Sequence, residues 1–376
     1  MLQKLNITKR KDGRYQIQKS FDGKMKSFYG RTKFEVISKY NQFVANKKNG
    51  VQSGTLSECV YEWMLNFKFG KIKSSSYDRL ETVYKYHLKD DPIGKMQVHE
   101  IKSIDLQRYI DRKSFPKDKD ELLSISSIKK IKELLSGYYK YAYEQNIVTF
   151  NPMLAVQLPI QDNMEKKTKQ VDEIPQNVLD ALYSDCNMTR RYNTALIILL
   201  NTGLRIGELI ALNWNDIDIA NKIIRVNKTI SVSKKRNGTE EISGRNKSIG
   251  STKTSCGNRI IPINKKVIEC LELIKSENKK LGISPSNVIS TKKGTMASAR
   301  NIQRAFDEWL KSNGFNHYNL HALRHTFGSI LIRKGVDIKV VSELLGHSNI
   351  QTTYNIYIHV IQEQKAKAVN LLDEVI

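Results

Sequence analysis

The sequence predicts a multidomain protein, mainly α with small β-sheets, and three observations predict it. Two Asp-Gly dipeptides punctuate short alternating runs within the first 30 residues. From residue 55 to 158 apolar side chains recur at helical spacing. A strand-rich stretch, 217–263, then interrupts an otherwise α-rich C-terminal half. The chain has 376 residues, enough for two or three domains, and its 40% apolar content supports ordinary folded cores.

Residues 1–50 read as a three-stranded sheet plus a helix. Lys11-Asp12-Gly13-Arg14 and Phe21-Asp22-Gly23-Lys24 are turns between the runs Leu5–Thr8, Tyr15–Gln18 and Met25–Tyr29. A helix is predicted from Thr32 to about Ala45, with Phe34, Val36, Ile37, Tyr40 and Phe43 facing inward. Lys47 to Gly54 is a polar connection. Residues 55–158 are predicted as a helical domain with helices near 56–68, 75–89, 103–113 and 125–145. Thr55-Leu56-Ser57-Glu58 has the form of a capping box at its start. Two prolines and a polar run make 159–176 the expected interdomain linker. Residues 177–376 form the remaining, α-rich domain, with a β-hairpin region inside it.

Charge narrows the function. The formal net charge is +24 and the pI about 9.7. Like charge at this density destabilises a fold by self-repulsion, and a polyanionic partner is the usual compensation. Residues 1–50 alone carry 13 Lys or Arg against 3 Asp or Glu, a net +10. A small basic sheet of this kind fits a DNA major groove. An anionic membrane surface is the alternative polyanion, but no apolar run is long enough to span a bilayer, and no membrane partner is expected. No secretory signal pattern is read at the start. Cys59, Cys186, Cys256 and Cys270 show neither CxxC pairing nor metal-ligand spacing, which fits a reducing, cytoplasmic setting.

Five of the seven histidines fall in the last 60 residues: His317, His321, His325, His347 and His359. Four clusters gather around them. Asn201-Thr202-Gly203-Leu204-Arg205 ends an apolar helix at a glycine and starts a new one near Arg205, with Glu208 a turn later to orient the guanidinium. Lys253-Thr254-x-x-x-x-Arg259-x-x-Pro262 places a lysine on a hairpin. Leu320-His321-Ala322-Leu323-Arg324-His325 sets His321 and Arg324 on one helix face, above a buried face of Leu323, Phe327, Ile330 and Leu331. A zinc site on His321 and His325 lacks the glutamate that HExxH needs, since position 322 is alanine, so no metal is expected. The fourth cluster runs from Leu345-Gly346-His347 to Thr352-Thr353-Tyr354-Asn355-Ile356-Tyr357.

Together these clusters resemble the tyrosine recombinase family, the phage-integrase type of site-specific recombinase. The matches are Gly-Leu-Arg at 203–205, His-x-x-Arg at 321–324, Leu-Gly-His at 345–347 and Thr-Thr-x-x-x-Tyr at 352–357, in family order. The resemblance covers 175–376 as the catalytic domain. Residues 55–158 resemble the core-site DNA-binding domain, and 1–50 look like the arm-site domain of phage and conjugative-transposon integrases. It implies strand cleavage and rejoining through a 3′-phosphotyrosine, with no cofactor, metal or ATP; the alternatives are a non-catalytic DNA-binding regulator that kept the fold and a type IB-like topoisomerase, which shares the chemistry. Arg205 and Arg324 would clamp the nonbridging oxygens. By the same resemblance His321 accepts or orients a proton, His347 donates to the phosphate, Lys253 is the general acid and Tyr357 the nucleophile.

Two assignments carry named rivals. Tyr354 lies a turn from Tyr357, but family members place the nucleophile nine or ten residues after the Leu-Gly-His histidine, and Tyr354 is expected to pack in the core. Lys228, Lys234, Lys235 and Lys247 share the strand-rich region with Lys253. The resemblance further implies double-stranded DNA partners at core and arm sites and a homotetramer on DNA. An excisionase, DNA-bending accessory proteins and a nucleoid location are also implied. Residues 358–376 would form an amphipathic tail, with Ile361, Ala368, Leu372 and Val375 on one face, docking on a neighbouring protomer or on its own domain.

Overall fold

Strand and helix signals translate into two units in the computed structural model, which describes residues 7–21, 24–33, 35–37, 39–40, 43, 54–116, 122–159, 173–184, 192–251 and 257–370. The first unit comprises Met1–Lys166 with Arg236–Ile242, the second Lys167–Lys235 with Ser243–Ile376.

The first unit opens on the expected meander: β1 (Ile7–Lys9), β2 (Tyr15–Phe21) and β3 (Lys24–Gly30), antiparallel in the order β1-β2-β3. Gly13, at φ +80°, makes the first turn. The period-2 pattern buries Ile17 opposite Phe28, and Val36 closes this small core. The described residues of 33–43 are helical; Phe34 and Ala45 lie outside them.

The helical part of this unit contains α1 (Leu56–Trp63), α2 (Ser74–Val83), α3 (Ser103–Ser114) and α4 (Ile125–Glu144). The capping box forms as read. The Glu58 N–H donates to Thr55 Oγ1 at 3.3 Å, and the Thr55 N–H to Glu58 Oε2 at 2.9 Å. Periodicity did not foresee that α1 and α2 each widen into a π turn, at Met64–Lys68 and Tyr84–Leu88. Ile128, Ile131, Leu135, Tyr138 and Tyr139 of α4 fill the core against Leu56, Val60 and Trp63.

The second unit is organised around α6 (Asn193–Thr202), which follows α5 (Gln176–Ser184) and continues through a sharp junction into α7 (Ile206–Ala211). Every residue from Asn193 to Leu200 is buried, as a helix apolar all round requires. The strand-rich stretch holds β4 (Ile217–Asp218), β5 (Ile223–Val226), β6 (Lys228–Asn237), β7 (Glu240–Ser251) and β8 (Arg259–Pro262). They pair as one sheet in the order β4-β5-β8 and a separate β6-β7 hairpin. Then come α8 (Lys265–Lys280), α9 (Ala299–Ser312), α10 (Leu320–Arg333), α11 (Ile338–Leu345) and α12 (Ile350–Asn370). Helices α8 and α10 pack on α6, and α12 packs on α10 and α11.

One predicted face needs correction. Leu323 is fully buried and Phe327 and Leu331 are half-buried, but Ile330 is 36% exposed. Helix α10 is covered by α6 on one side and α11 and α12 on another, and the arc carrying Ile330 lies outside both. Of the tail, Ile361 packs beside Tyr357 and Val360. The side chain of Ala368, and residues Leu372 and Val375, lie outside the description.

Candidate active site

Arg205 and His347 arrive from two helix junctions and Arg324 from within α10, and the backbone at those junctions explains why they meet. Helix α6 stops at Gly203, whose φ of +62° no β-substituted residue adopts without strain. A Cβ there would sit 2.5 Å from the Phe327 ring. The tight stop turns the chain so that Arg205 becomes the N-cap of α7. Its Nη1 donates to Glu208 Oε1 at 2.8 Å, while its backbone N–H donates to Glu208 Oε2 at 3.0 Å. Glu208 orients Arg205 as the spacing implied.

Helix α11 ends at Gly346, in the left-handed region, and leaves its last carbonyls facing the same place. Each of three consecutive carbonyls takes one arginine. Arg259 Nε donates to the Leu344 oxygen at 2.7 Å, Arg324 Nη2 to that of Leu345 at 2.6 Å, and Arg205 Nη2 to that of Gly346 at 3.0 Å. The negative end of the helix dipole thus gathers three guanidinium groups. Arg324 also donates from Nη1 to the Gly203 carbonyl at 2.6 Å, which joins the two helix stops.

Charge does not balance inside this cluster. Among the described residues Glu208 is the carboxylate within it, 3% exposed, bridging Arg205 and Arg259; Arg259 Nη2 lies 2.9 Å from its Oε2. Burial pushes the Glu208 carboxyl up, but hydrogen bonds and charge from Arg259 and Arg205 outweigh it and hold the group below the usual range. Arg324 is 2% exposed, and its hydrogen-bond partners among the described residues are two carbonyls and an imidazole, none of them an anion. Burial and the neighbouring Arg205 lower its pKa, to about 9; it still carries its charge at neutral pH. A buried cation held by neutral partners is a binding element for an anion.

His347 completes the cluster. Its Nε2 lies 2.9 Å from Arg324 Nη2, and its Nδ1 lies 2.8 Å from Thr353 Oγ1. A guanidinium only donates, so Nε2 accepts, and the ring is neutral with its proton on Nδ1, directed to Thr353. Burial first, then Arg324 and Arg205, push its pKa down to about 4. The unfolded ring takes a proton below about 6.5 while the folded ring resists it, so stability is complete above that pH and falls as pH drops toward 4. Loss on the order of 1–2 kcal/mol between pH 7 and 5, seen as a lower Tm, is expected. His347→Asn should flatten that slope; an unchanged slope would assign the acid lability to other groups.

His321 lies on the exposed side of α10. Partial burial, with His325, Arg324 and Arg205 beside it, lowers its pKa and keeps it neutral, the form that can accept a proton. Its ring packs edge-on against His325 at 4.5 Å, and His325 lies 6.3 Å from the Tyr357 ring. Lys253, with 252–256, lies outside the described residues. Among its rivals Lys228 is engaged elsewhere, 2.8 Å from Asp216 Oδ2.

The tyrosines reverse one expectation. Tyr354 is half-buried, whereas Tyr357 is 1% exposed and belongs to the core of α10, α11 and α12. Helix α12 is kinked at Tyr357 itself, with φ −106° and ψ 17°. The hydroxyl lies over Gly328, where a Cβ would come within 2.3 Å of it. Burial raises the phenol pKa, with Arg324 opposing. Sequence reasoning named Arg259 only as motif context and gave Thr353 no role. Both stand in motif positions, but their contacts join chain segments 85 and 6 residues apart.

Comparison with known proteins gives the family. The phage integrase family model matches residues 171–364, and that of the phage integrase N-terminal SAM-like domain matches 55–114. A tyrosine recombinase XerC-like protein of Caldanaerobacter subterraneus is 30% identical, over 93% of this chain and 91% of its own. The integrase of Staphylococcus phage L54a is 25% identical over 91% and 99%. In fold the chain is similar to the Tn1549 transposon integrase solved with a circular intermediate DNA, at TM-score 0.67, 23% identity, and coverage of 84% and 100%. The motifs at 203–205, 321–324, 345–347 and 352–357 therefore sit inside a matched domain, and the chain belongs to the phage integrase family of tyrosine recombinases.

Proposed function

We propose that this chain cleaves and rejoins DNA at specific sites through a 3′-phosphotyrosine, integrating and excising a mobile element. The observation that carries this reading is the net positive charge around Arg324 at the C-terminus of α11, where three arginines meet one carboxylate, Glu208, among the described residues. A scissile phosphate supplies the missing anion. Arg205, 39% exposed, meets it first, and Arg324 lies beneath. Developing charge on the phosphorane oxygens is stabilised by donors already in place. Arg259 and Glu208 hold the clamp without needing to touch substrate.

His347 is assigned a two-state role. Without phosphate it accepts from Arg324. When phosphate takes the Arg324 donors, Thr353 can donate to Nδ1, and the Nε2 proton is then presented to the phosphate. Tyr357 attacks phosphorus, its proton passing to a neutral base, a role assigned to His321. Lys253 is assigned the proton for the leaving 5′-oxygen. The bond energy is kept in the phosphotyrosine, so the reverse transfer reseals the strand. The basic segment 1–50 is assigned to arm sites and 55–158 to core sites. Four protomers would act on two duplexes, with excisionase and DNA-bending proteins setting direction.

The test is a nicked suicide duplex, on which the wild-type chain should form an SDS-resistant adduct. Tyr357→Phe should lower adduct formation at least roughly 10³-fold while Tyr354→Phe retains it. Trapping by Tyr357→Phe and not by Tyr354→Phe would transfer the nucleophile to Tyr354.

A further inference from the structure

Glu173, three residues ahead of α5, accepts hydrogen bonds from two helices at once. Ser329 Oγ and, at 2.6 Å, Arg333 Nη1 donate to it from α10. His359 Nε2 donates from α12 at 2.8 Å. The carboxylate is 19% exposed. Burial pushes its pKa up, but the Ser329, His359 and Arg333 bonds outweigh that and keep it ionised. The next residue, Ile174, is 4% exposed, and its N–H donates to Thr326 Oγ1 at 2.9 Å. Glu173 is therefore anchored to α10 by Ser329, Arg333 and its own backbone neighbour, while among the described residues His359 is the donor that joins it to α12.

The positions of those donors matter. His359 follows Tyr357 by two residues, just past the kink in α12. Ser329 follows Gly328, the residue over which the Tyr357 hydroxyl lies. One carboxylate thus bridges the turn that receives the tyrosine and the helix that carries it.

We propose that Glu173 is a positioning residue for strand cleavage: through His359 it latches α12 onto α10 with Tyr357 stored, and opening of this contact frees the tyrosine for phosphate. The proposal rests on Tyr357 as nucleophile. In the latched arrangement the Tyr357 side chain is 1% exposed, so a phosphate in solution cannot meet its oxygen. The Glu173–His359 bond is the one that parts when α12 moves, because the other donors stay with α10. A latch stabilises the stored state, so weakening it raises the population from which cleavage starts.

The experiment uses the full chain on a nicked suicide duplex under single-turnover conditions, with hydrogen exchange of 350–362 and DNA affinity measured alongside. Glu173→Gln and His359→Ala are each expected to speed adduct formation roughly tenfold, equivalent to about 1.4 kcal/mol. Exchange in 350–362 should quicken and DNA affinity stay unchanged. His359→Gln, which keeps a donor for the carboxylate, should remain near wild type. The double variant Glu173→Gln/His359→Ala should be no faster than either single variant. A rate that is unchanged or lower in His359→Ala overturns the proposal, and so does full additivity in the double variant. An adduct formed by Tyr357→Phe would instead remove the nucleophile assignment, and exchange at 350–362 would still report whether the latch exists.

Discussion

Arg324→Lys is expected to slow covalent strand cleavage by roughly 10²- to 10³-fold, although the substitution keeps the charge. The guanidinium uses three of its five N–H donors to hold the Gly203 carbonyl, the Leu345 carbonyl and His347 Nε2. An ammonium is a point charge on a flexible stem and does not span three acceptors in a plane. At least one buried carbonyl would lose its partner, at about 1–3 kcal/mol of stability. A thermal melt would therefore accompany the single-turnover assay, to show that the folded fraction is not what limits the rate. Added guanidinium ion should partly restore Arg324→Ala, because the site would bind the missing planar cation. Cleavage by Arg324→Lys within tenfold of wild type would mean that positive charge alone suffices and that the fork geometry is incidental.

Gly328→Ala should destabilise the second unit by about 2–3 kcal/mol, as overpacking of a filled core does. The new methyl would lie 2.3 Å from the Tyr357 hydroxyl and 2.4 Å from Cζ, so the ring must leave its seat. The ring is fully buried, and moving it also exposes apolar surface of Val341, Leu345 and Val360. The same substitution made in a Tyr357→Ala background meets no ring and should cost little. Denaturant unfolding of the four chains gives the coupling directly. Equal losses in both backgrounds would place the clash elsewhere and remove Tyr357 from the stored position described above.

Much of this architecture was legible in the residues. Alternation around Asp12-Gly13 predicts the N-terminal sheet, because a two-residue period buries one face. The apolar run Leu196 to Leu200, stopped by Gly203, predicts both a fully buried helix and the junction that turns out Arg205. Glu208, one turn on, is close enough in sequence for its contact to be inferred. The π turns after Trp63 and Val83 were not legible, since the apolar spacing there suits an ordinary helix equally well.

For the site, the division follows contact range. Residue types and their spacing determined the family, the charged partners within one turn and the candidates Arg205, His321, Arg324, His347 and Tyr357, because those signals lie within a few residues of one another. Tertiary structure alone decided that carbonyls 344, 345 and 346 each receive an arginine, that Arg259 and Thr353 belong to the cluster, and that Tyr357, not Tyr354, lies in the core. It also placed Glu173 against His359, 186 positions away. Such contacts depend on where helix ends meet in space, which local propensity does not record, whether the segments are 186 residues apart or, as for His347 and Thr353, only 6.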